Sequence, residues 1–546
     1  MVYSPWLYDI ALHRPKLTRG VLKRIRRDVE LEPSFQDHLN DFIQFATLHF
    51  QNVEKKLQQF AELCGVDPAP SHLLLSLIVS LCFIVLLVRK IKQRIRHRRL
   101  YGYNAFPPLA PASIMETISA LKGEESPWFF KQCAERVGPV FRLKVPFLKG
   151  PMFVAVGDLD TTKEILQDPK TIKPEALYAS NASIAGGPNI VISDGHHWMT
   201  SRTGVAPALL KTHLDRLHKV CKEATENWIQ RKLEPFIDDG RAFDFCSEFL
   251  LLTISIICKA AFEYKVKDVD ARMLVKEFQV IALEFARNGV KNPLRTWFGI
   301  FLPSVRRARL ARTRVQAIAK HILETYKKKP KHMRSQKDTI ISCIEKNQNY
   351  KDDSHRIADI MMFLFAGHDT TAYSLSWTLL ELARHPEEMK KLQEALNGTD
   401  DALAQDILKD VVREGMRLRP VHPGVGMRIT GRDFYLKDKL MVIPKGSQVL
   451  FPSIILTRQD VEDAEEFRPS RWQEHPDKSF LLFSTGRRNC VGQSLALAEI
   501  TWVLSRLCAK YDFEVIDEGH QEFCVTLKCV GATLKARRRQ DRSKIH

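Results

Sequence analysis

The most constraining stretch of this chain is Phe483-Ser-Thr-Gly486-Arg-Arg488-Asn-Cys490-Val-Gly492, which fits F-x-x-G-x-R-x-C-x-G at all five fixed positions. From average residue usage, such a match arises by chance in a chain of this length with a probability of roughly one in ten thousand. A lone cysteine in a turn is ordinarily a small buried hydrophobe. The surrounding pattern, not Cys490 alone, therefore asks for chemistry. The chain has 11 cysteines at irregular spacing and no C-x-x-C pair, which argues against a secreted disulfide framework or a structural zinc site. A composition of 45% hydrophobic and 27% charged residues fits a folded protein and excludes collagenous or disordered chains. The formal charge of +19 asks for an acidic partner: nucleic acid, an anionic membrane surface or an acidic protein.

Other segments narrow the choice. Glu414-Gly-Met-Arg417 sets two charges at i, i+3, where they share a helix face. Further on comes Phe467-Arg-Pro469-Ser-Arg471-Trp472. A helical pattern from about Ser354 to His385 carries Ala366-Gly367-His368-Asp369-Thr370-Thr371, with Asp352, Asp353 and Ser354 as N-cap chemistry and Pro386 as a stop. Some thirty residues at 1.5 Å each would span about 45 Å, enough to cross a large domain. Trp198-Met-Thr-Ser-Arg202 places an indole N–H and a guanidinium at i, i+4. In this order, and together with the Cys490 loop, these segments resemble those of the cytochrome P-450 family, the haem-thiolate monooxygenases. The resemblance covers roughly residues 100 to 535.

It implies a mainly α fold with small β-sheets and a non-covalent haem b. By the same resemblance Cys490, as a thiolate, is the axial ligand of the haem iron, giving electron density that favours O–O cleavage. Phe483, Gly486 and Gly492 shape the loop, the glycines letting N–H groups point at the sulfur. Arg488, Trp198, Arg202 and Arg428 are haem-propionate partners. Glu414, Arg417 and Arg471 form a buried network behind the thiolate loop, with Ser470 standing where the family often has Glu. Gly367 leaves room beside dioxygen, the Thr370 hydroxyl bonds oxygen or a water, and Asp369 relays protons. Leu456-Thr-Arg458-Gln-Asp460 departs from the family's H-R-D-P and is given no role. The segments Ala179 to Ile192, Phe363 to Ala366 and Val421 to Val425 are the substrate-contacting positions.

Residues 1–70 are an N-terminal extension to which no role is assigned; residues 14–27 are Arg/Lys-rich and resemble an import signal. The run Leu73 to Val88 has sixteen residues without a charge. With Ser71 and His72 it reaches the lower limit for a transmembrane helix. Arg89 to Arg99 follows with seven Lys/Arg and no acid, which places that side in the cytosol. Residues 71–88 are thus read as one membrane anchor. Residues 89–111, ending in Pro107-Pro108-Leu109-Ala110-Pro111, are read as a stop-transfer cluster and a stiff linker. Residues 112–546 are the haem-thiolate monooxygenase domain, facing the cytosol from the endoplasmic reticulum or another organelle membrane. Short β-rich runs at Pro139–Val145 and Met152–Val156 flank Lys149-Gly150-Pro151, a hairpin signal. Strand-like runs return near Phe523 to Leu534. Arg306 to Arg334 holds eleven Lys/Arg and one acid; without a nucleic-acid motif or interleaved aromatics it reads as a solvated helix face, and no nucleic acid is expected.

The implied reaction is hydroxylation of an unactivated C–H of a small, largely apolar metabolite with dioxygen. The electrons come from NADPH through a separate flavoprotein reductase, and the membrane lipid is a second partner. The C-terminal signature is similar to that of ω-hydroxylases, which oxidise terminal methyls, in successive steps where one methyl is carried to the acid. Many of those have Glu, linked covalently to haem, where this chain has Ala366. A haem-thiolate isomerase or dehydratase acting without dioxygen, and a non-catalytic haem sensor, are the alternatives. Asp369 and Thr370 speak against the isomerase, which needs no proton delivery to dioxygen.

Overall fold

The computed structural model describes residues 106–539 apart from 122–124, 146–149, 175–185, 210–213, 289–298, 336–337, 398–401, 423–425, 437–440, 477 and 479. The expected extension, anchor and basic cluster, residues 1–105, lie outside the described residues. The proline segment that follows is part of the folded body. Ala110 N–H donates to Arg142 C=O at 2.8 Å, Arg142 N–H to Pro108 C=O at 2.7 Å, and Arg142 Nε to Pro107 C=O at 2.6 Å.

The architecture is mainly helical with small sheets. The helices that position the site are α1 (Gly195–Val205), α2 (Leu214–Trp228), α3 (Phe245–Phe262), α4 (Asp268–Asn288), α5 (Pro303–Lys328), α6 (Asp353–Arg384), α7 (Ala402–Leu418) and α8 (Gln493–Lys510). A four-stranded sheet has the order β1 (Val140–Leu143), β2 (Phe153–Val156), β6 (Gln448–Leu450), β3 (Arg428–Ile429). β1 and β2 form the antiparallel pair flanking the hairpin signal, with Val140 opposite Val156, and β6 joins β2 in parallel. Three two-stranded sheets complete the set: β4 (Phe434–Tyr435) with β5 (Val442–Ile443), β7 (Tyr511–Asp517) with β10 (Thr533–Arg538), and β8 (His520–Phe523) with β9 (Leu527–Val530).

Helix α6 organises the interior. Asp352 caps it by accepting from His355 N–H at 3.2 Å, and Pro386 follows its end. Its 32 residues give a rod of about 48 Å. Two apolar clusters hold it: one takes Ile360 to Phe365 with α3, α4 and α5, the other Ala372 to Leu382 with α2, α7 and α8. They part at residues 366–371. Near its end Glu381, buried, accepts from Arg384 Nη1 at 3.1 Å and Arg419 Nε at 2.9 Å.

Helix α3 is long and apolar enough to cross a membrane, yet most of its side chains are buried in the core. Apolarity on all sides marks a helix enclosed by protein as readily as by lipid. The basic run lies on α5 and the turn after it; Arg306, Arg307, Arg309, Arg314, Lys320, Lys327 and Lys328 are exposed, while Ala308, Ala311, Val315 and Ala319 face the core.

Helices α6 and α7 approach closely at Gly415, where a Cβ would fall 2.3 Å from Thr378 Oγ1 and 2.9 Å from Thr378 Cβ and Cγ2. Gly415→Ala will therefore push α7 off α6, at a cost of about 1–3 kcal/mol, seen as a lowered Tm in thermal denaturation. Thr378→Ala in the same chain will recover part of that loss, whereas additive losses would remove this contact as the cause.

Candidate functional site

The Cys490 loop rests on backbone conformations that few residues accept. Leu481, Ser484 and Gly486 lie at φ 56°, 61° and 72°, in the left-handed region that only glycine enters without strain. Ser484 N–H donates to Leu481 C=O, and Cys490 N–H to Phe483 C=O, both at 2.7 Å. Gly486 is required twice, since a Cβ there would also lie 2.8 Å from the Leu166 carbonyl oxygen. Gly492 differs: its φ of −90° suits any residue. What it contributes is a backbone N–H directed at the Cys490 sulfur, immediately before α8 begins. A helix N-terminus favours negative charge.

Of the nine described cysteines, eight are buried and Cys490 is exposed. Its sulfur still sits deep enough for desolvation to push the thiol pKa up, against the Gly492 N–H and the Arg202 charge, which pull it down. Phe483 is half-buried and packs against the core from the other end of the loop.

Cationic side chains converge beside this loop. Arg202 donates to Asn489 C=O at 2.9 Å and to Asn489 Oδ1 at 2.5 Å; burial lowers its pKa and Cys490 opposes that. Arg488 donates to Ser193 C=O at 3.0 Å, pairs with Asp194, and lies over the Trp198 ring at 4.2 Å. Arg428 is buried on β3 and bonds the Met427 carbonyl at 3.0 Å. Trp198 and Arg202 thus share α1 but meet different groups, one under Arg488 and the other on Asn489. Lys173 joins them, and sequence reasoning missed it. Ile172 bridges Ile429, with N–H···O bonds of 2.8 and 3.1 Å, which brings Lys173 to Arg428. Burial, then the charges of Arg428 and Arg488, hold its amine well below the usual range. Pro174 hints at extended backbone here, but no spacing ties residue 173 to 428. Burial pushes Asp194 up, but N–H groups of Lys173 and Gly195 and the Arg488 charge outweigh it.

On α6, Ala366 is exposed, Gly367 and Thr370 half-buried, His368 and Asp369 buried. The Thr370 hydroxyl donates to the Ala366 carbonyl at 2.7 Å. Asp369 accepts from the Thr526 hydroxyl at 2.6 Å, a partner from the β8–β9 turn that sequence gave no reason to seek. Gly367 also meets a packing demand within the chain. A Cβ on Gly367 would meet Ile257 Cδ1 and Cγ1 of α3, each at 2.9 Å, so the missing side chain serves the packing of α3 on α6. Of the substrate-contacting segments, residues 179–185 and 423–425 lie outside the described residues. Phe363 and Val421 are buried, and Val421 C=O accepts from Leu527 N–H at 2.7 Å.

Glu414, Arg417 and Arg471 come together, all buried. The Glu414 carboxylate accepts from Arg417 Nε and Nη2, Arg471 Nε and Arg468 N–H, each at 2.9 Å, and from Trp472 Nε1 at 3.1 Å. The remaining guanidinium N–H groups hold the carbonyls of Glu462, Asp463, Ala464 and Glu466 at 2.7–3.3 Å. Arg458, left without a role by sequence, forms a fork with Glu465 at 2.7 and 2.8 Å; with Lys131 it lowers that carboxyl to about 2.

The Cytochrome P450 family profile matches residues 107–539. Among relatives, Carotene epsilon-monooxygenase, chloroplastic, of Arabidopsis thaliana is 27% identical over 75% of this chain and 81% of its own. Protein LUTEIN DEFICIENT 5, chloroplastic, of the same plant is 25% identical over 69% and 68%, and Cytochrome P450 3A14 of Cavia porcellus 26% over 59% and 69%. The chain belongs to the cytochrome P450 family. It is an oxygenase enzyme whose cofactor is haem b, and the family uses a redox partner, an organic substrate and dioxygen.

Glu414→Gln will leave two buried guanidiniums short of their counter-charge, a loss of about 3–5 kcal/mol. Thermal denaturation and haem content of the purified protein will both fall; a chain that keeps full haem and its Tm would remove the network from support of the loop.

Proposed function

We propose that this protein is a membrane-anchored haem-thiolate monooxygenase that hydroxylates an unactivated C–H of a small, largely apolar metabolite. The carrying observation is the Cys490 loop, where the exposed cysteine lies under the Gly492 N–H at the head of α8, with cations beside it. That donor set fits haem: a sulfur for iron and guanidinium and ammonium groups for two carboxylates. Haem, when bound, supplies the iron that activates dioxygen for insertion into a C–H bond.

The chain's own residues do the rest. Cys490 would hold the haem iron; burial disfavours its thiolate, so the Gly492 N–H, the helix N-terminus and Arg202 are needed to hold the charge. Phe483 and Gly486 keep the loop's shape. Arg202, Arg428, Arg488 and Lys173 would hold the propionates, with Trp198 orienting Arg488. Ala366 offers no carboxylate to link to haem, so the haem is held non-covalently. The Thr370 hydroxyl donates a hydrogen bond to the Ala366 carbonyl, and its oxygen can accept one in turn. The neighbouring carboxylate, Asp369, is fixed by Thr526 and relays protons, each taken up from water before it is passed on. The apolar run before the basic cluster is the anchor in lipid, with the catalytic body cytosolic at the endoplasmic reticulum. A separate NADPH-dependent flavoprotein reductase delivers electrons, drawn by the net positive charge.

The test uses microsomes co-expressing this chain with a reductase, fed apolar acids, terpenoids and carotenoids, the last because one relative is named for carotene oxidation. Mass spectrometry will find NADPH-dependent gain of one oxygen, and alcohol, aldehyde and acid in sequence where a terminal methyl is attacked. Cys490→Ser will abolish the thiolate-type ferrous–CO spectrum; its survival would refute the ligand assignment. Thr370→Ala will keep haem but divert reducing equivalents to hydrogen peroxide. Unchanged coupling of NADPH use to product would take Thr370 out of the mechanism.

A further inference from the structure

Asp359 lies on α6 two turns before Ala366 and is fully buried, with no exposed surface. A carboxylate in such a place needs several donors to offset its desolvation, and this one draws them from three separate segments. Its Oδ1 accepts from Ile190 N–H at 2.7 Å and its Oδ2 from the Tyr350 hydroxyl at 2.5 Å. The Ser201 hydroxyl, on α1, lies beside the pair and offers a single O–H that the carboxylate and the Tyr350 oxygen share.

The loop it holds is short and otherwise self-contained. Asn189, buried, accepts from Val191 N–H at 3.0 Å and Ile192 N–H at 3.2 Å, and its backbone C=O accepts from Ser193 N–H at 3.0 Å. Ile190 N–H is the loop amide that Asn189 leaves to α6. The Ile190 side chain then enters the apolar cluster of Phe363, Phe365, Ile254 and Ile257. At its other end the loop meets the cysteine segment, because Ser193 C=O and Asp194 both take Arg488. One loop is thus tied to the central helix at Ile190 and to the Cys490 loop four residues on.

We propose that Asp359 is a positioning residue of the substrate cavity, holding Asn189–Asp194 as a fixed wall between α6 and the Cys490 loop. This rests on the reading of the protein as a haem-thiolate enzyme whose cavity wall includes Ile190. Asp359 touches no reacting atom; it acts through Ile190. Loss of its carboxylate leaves a buried N–H without an acceptor and lets the loop seek one elsewhere.

The experiment uses the full chain in membranes, with haem content measured, and two probes that ligate haem iron and shift the Soret band: imidazole, which needs only the iron, and 1-hexylimidazole, whose chain reaches the wall. Asp359→Ala will change the affinity for 1-hexylimidazole about tenfold while imidazole stays within about twofold. Asp359→Asn will restore most of the difference, because its Oδ1 still accepts from Ile190 and its amide donates to the Tyr350 oxygen. Tyr350→Phe, which keeps the Ile190 bond, will shift 1-hexylimidazole in the same direction by about threefold, and it stands as the test where the alanine variant fails to hold haem. Equal changes for both probes, or none for either in variants that hold haem, overturn the proposal while the haem-thiolate reading survives. A wild-type chain that gives no Soret band overturns that reading and this inference with it.

Discussion

The Glu414 carboxylate is the interaction on which the proximal half of this structure depends. It is fully buried and accepts five N–H donors, two of them doubly from one guanidinium. A buried charge this deep is destabilising unless every lone pair is used, and here both arginines carry their remaining donors to the carbonyls of residues 462–466. That stretch has no regular secondary structure of its own beyond turns. It is therefore ordered by electrostatics radiating from one helix position, and Trp472, bonded to the same carboxylate, meets Phe480 at the start of the cysteine loop, with ring centroids 5.5 Å apart. The strained residues Leu481, Ser484 and Gly486 can persist only on such a base.

Helix α3 shows why apolarity by itself does not assign a membrane span. It is nearly uniform in hydropathy, yet its exceptions are matched. Glu248 accepts from Trp228 Nε1 at 3.2 Å and Lys259 pairs with Glu223 at 2.7 Å, both partners on α2. Glu263, in the left-handed conformation at its C-cap, takes Lys329 at 2.7 Å and the Thr339 hydroxyl at 3.0 Å. A core helix places its few charges where protein groups can answer them. The run Leu73 to Val88 differs in sequence, having no charge of its own and seven Lys/Arg just beyond it.

What was legible in the sequence were the features compressed into short range. Gly486 and Cys490 declare themselves because a tight turn fixes residue types at fixed spacing, and α6 because its N-cap, its length and Pro386 are all local. The i, i+3 pair Glu414 and Arg417 was visible as a pair but not as five hydrogen bonds, since three of those donors lie more than fifty residues away. Lys173, Thr526 and Asp359 were illegible for the same reason: each is one polar residue whose meaning comes from a partner on another element. At Gly367 the motif pointed to space for a ligand, and the fold adds a demand of its own, the close approach of Ile257.

These cases share a physical cause that also explains how the site is kept rigid. The two apolar clusters grip α6 on either side of residues 366–371, and within that segment the His368 ring packs on Phe278 and Phe365. Polar bonds then fix the segments around it: Thr526 to Asp369, Asp359 to Ile190 and Arg488 to Ser193. Each joins α6 or the cysteine loop to a segment with little regular structure, where apolar contact would permit sliding. Hydrogen bonds are directional and hydrophobic contacts are not. The buried carboxylates of Asp359, Asp369 and Glu414 thus fix Ile190, Thr526 and the segment ahead of the Cys490 loop by directed bonds, while the surrounding leucines, isoleucines and phenylalanines supply the stability.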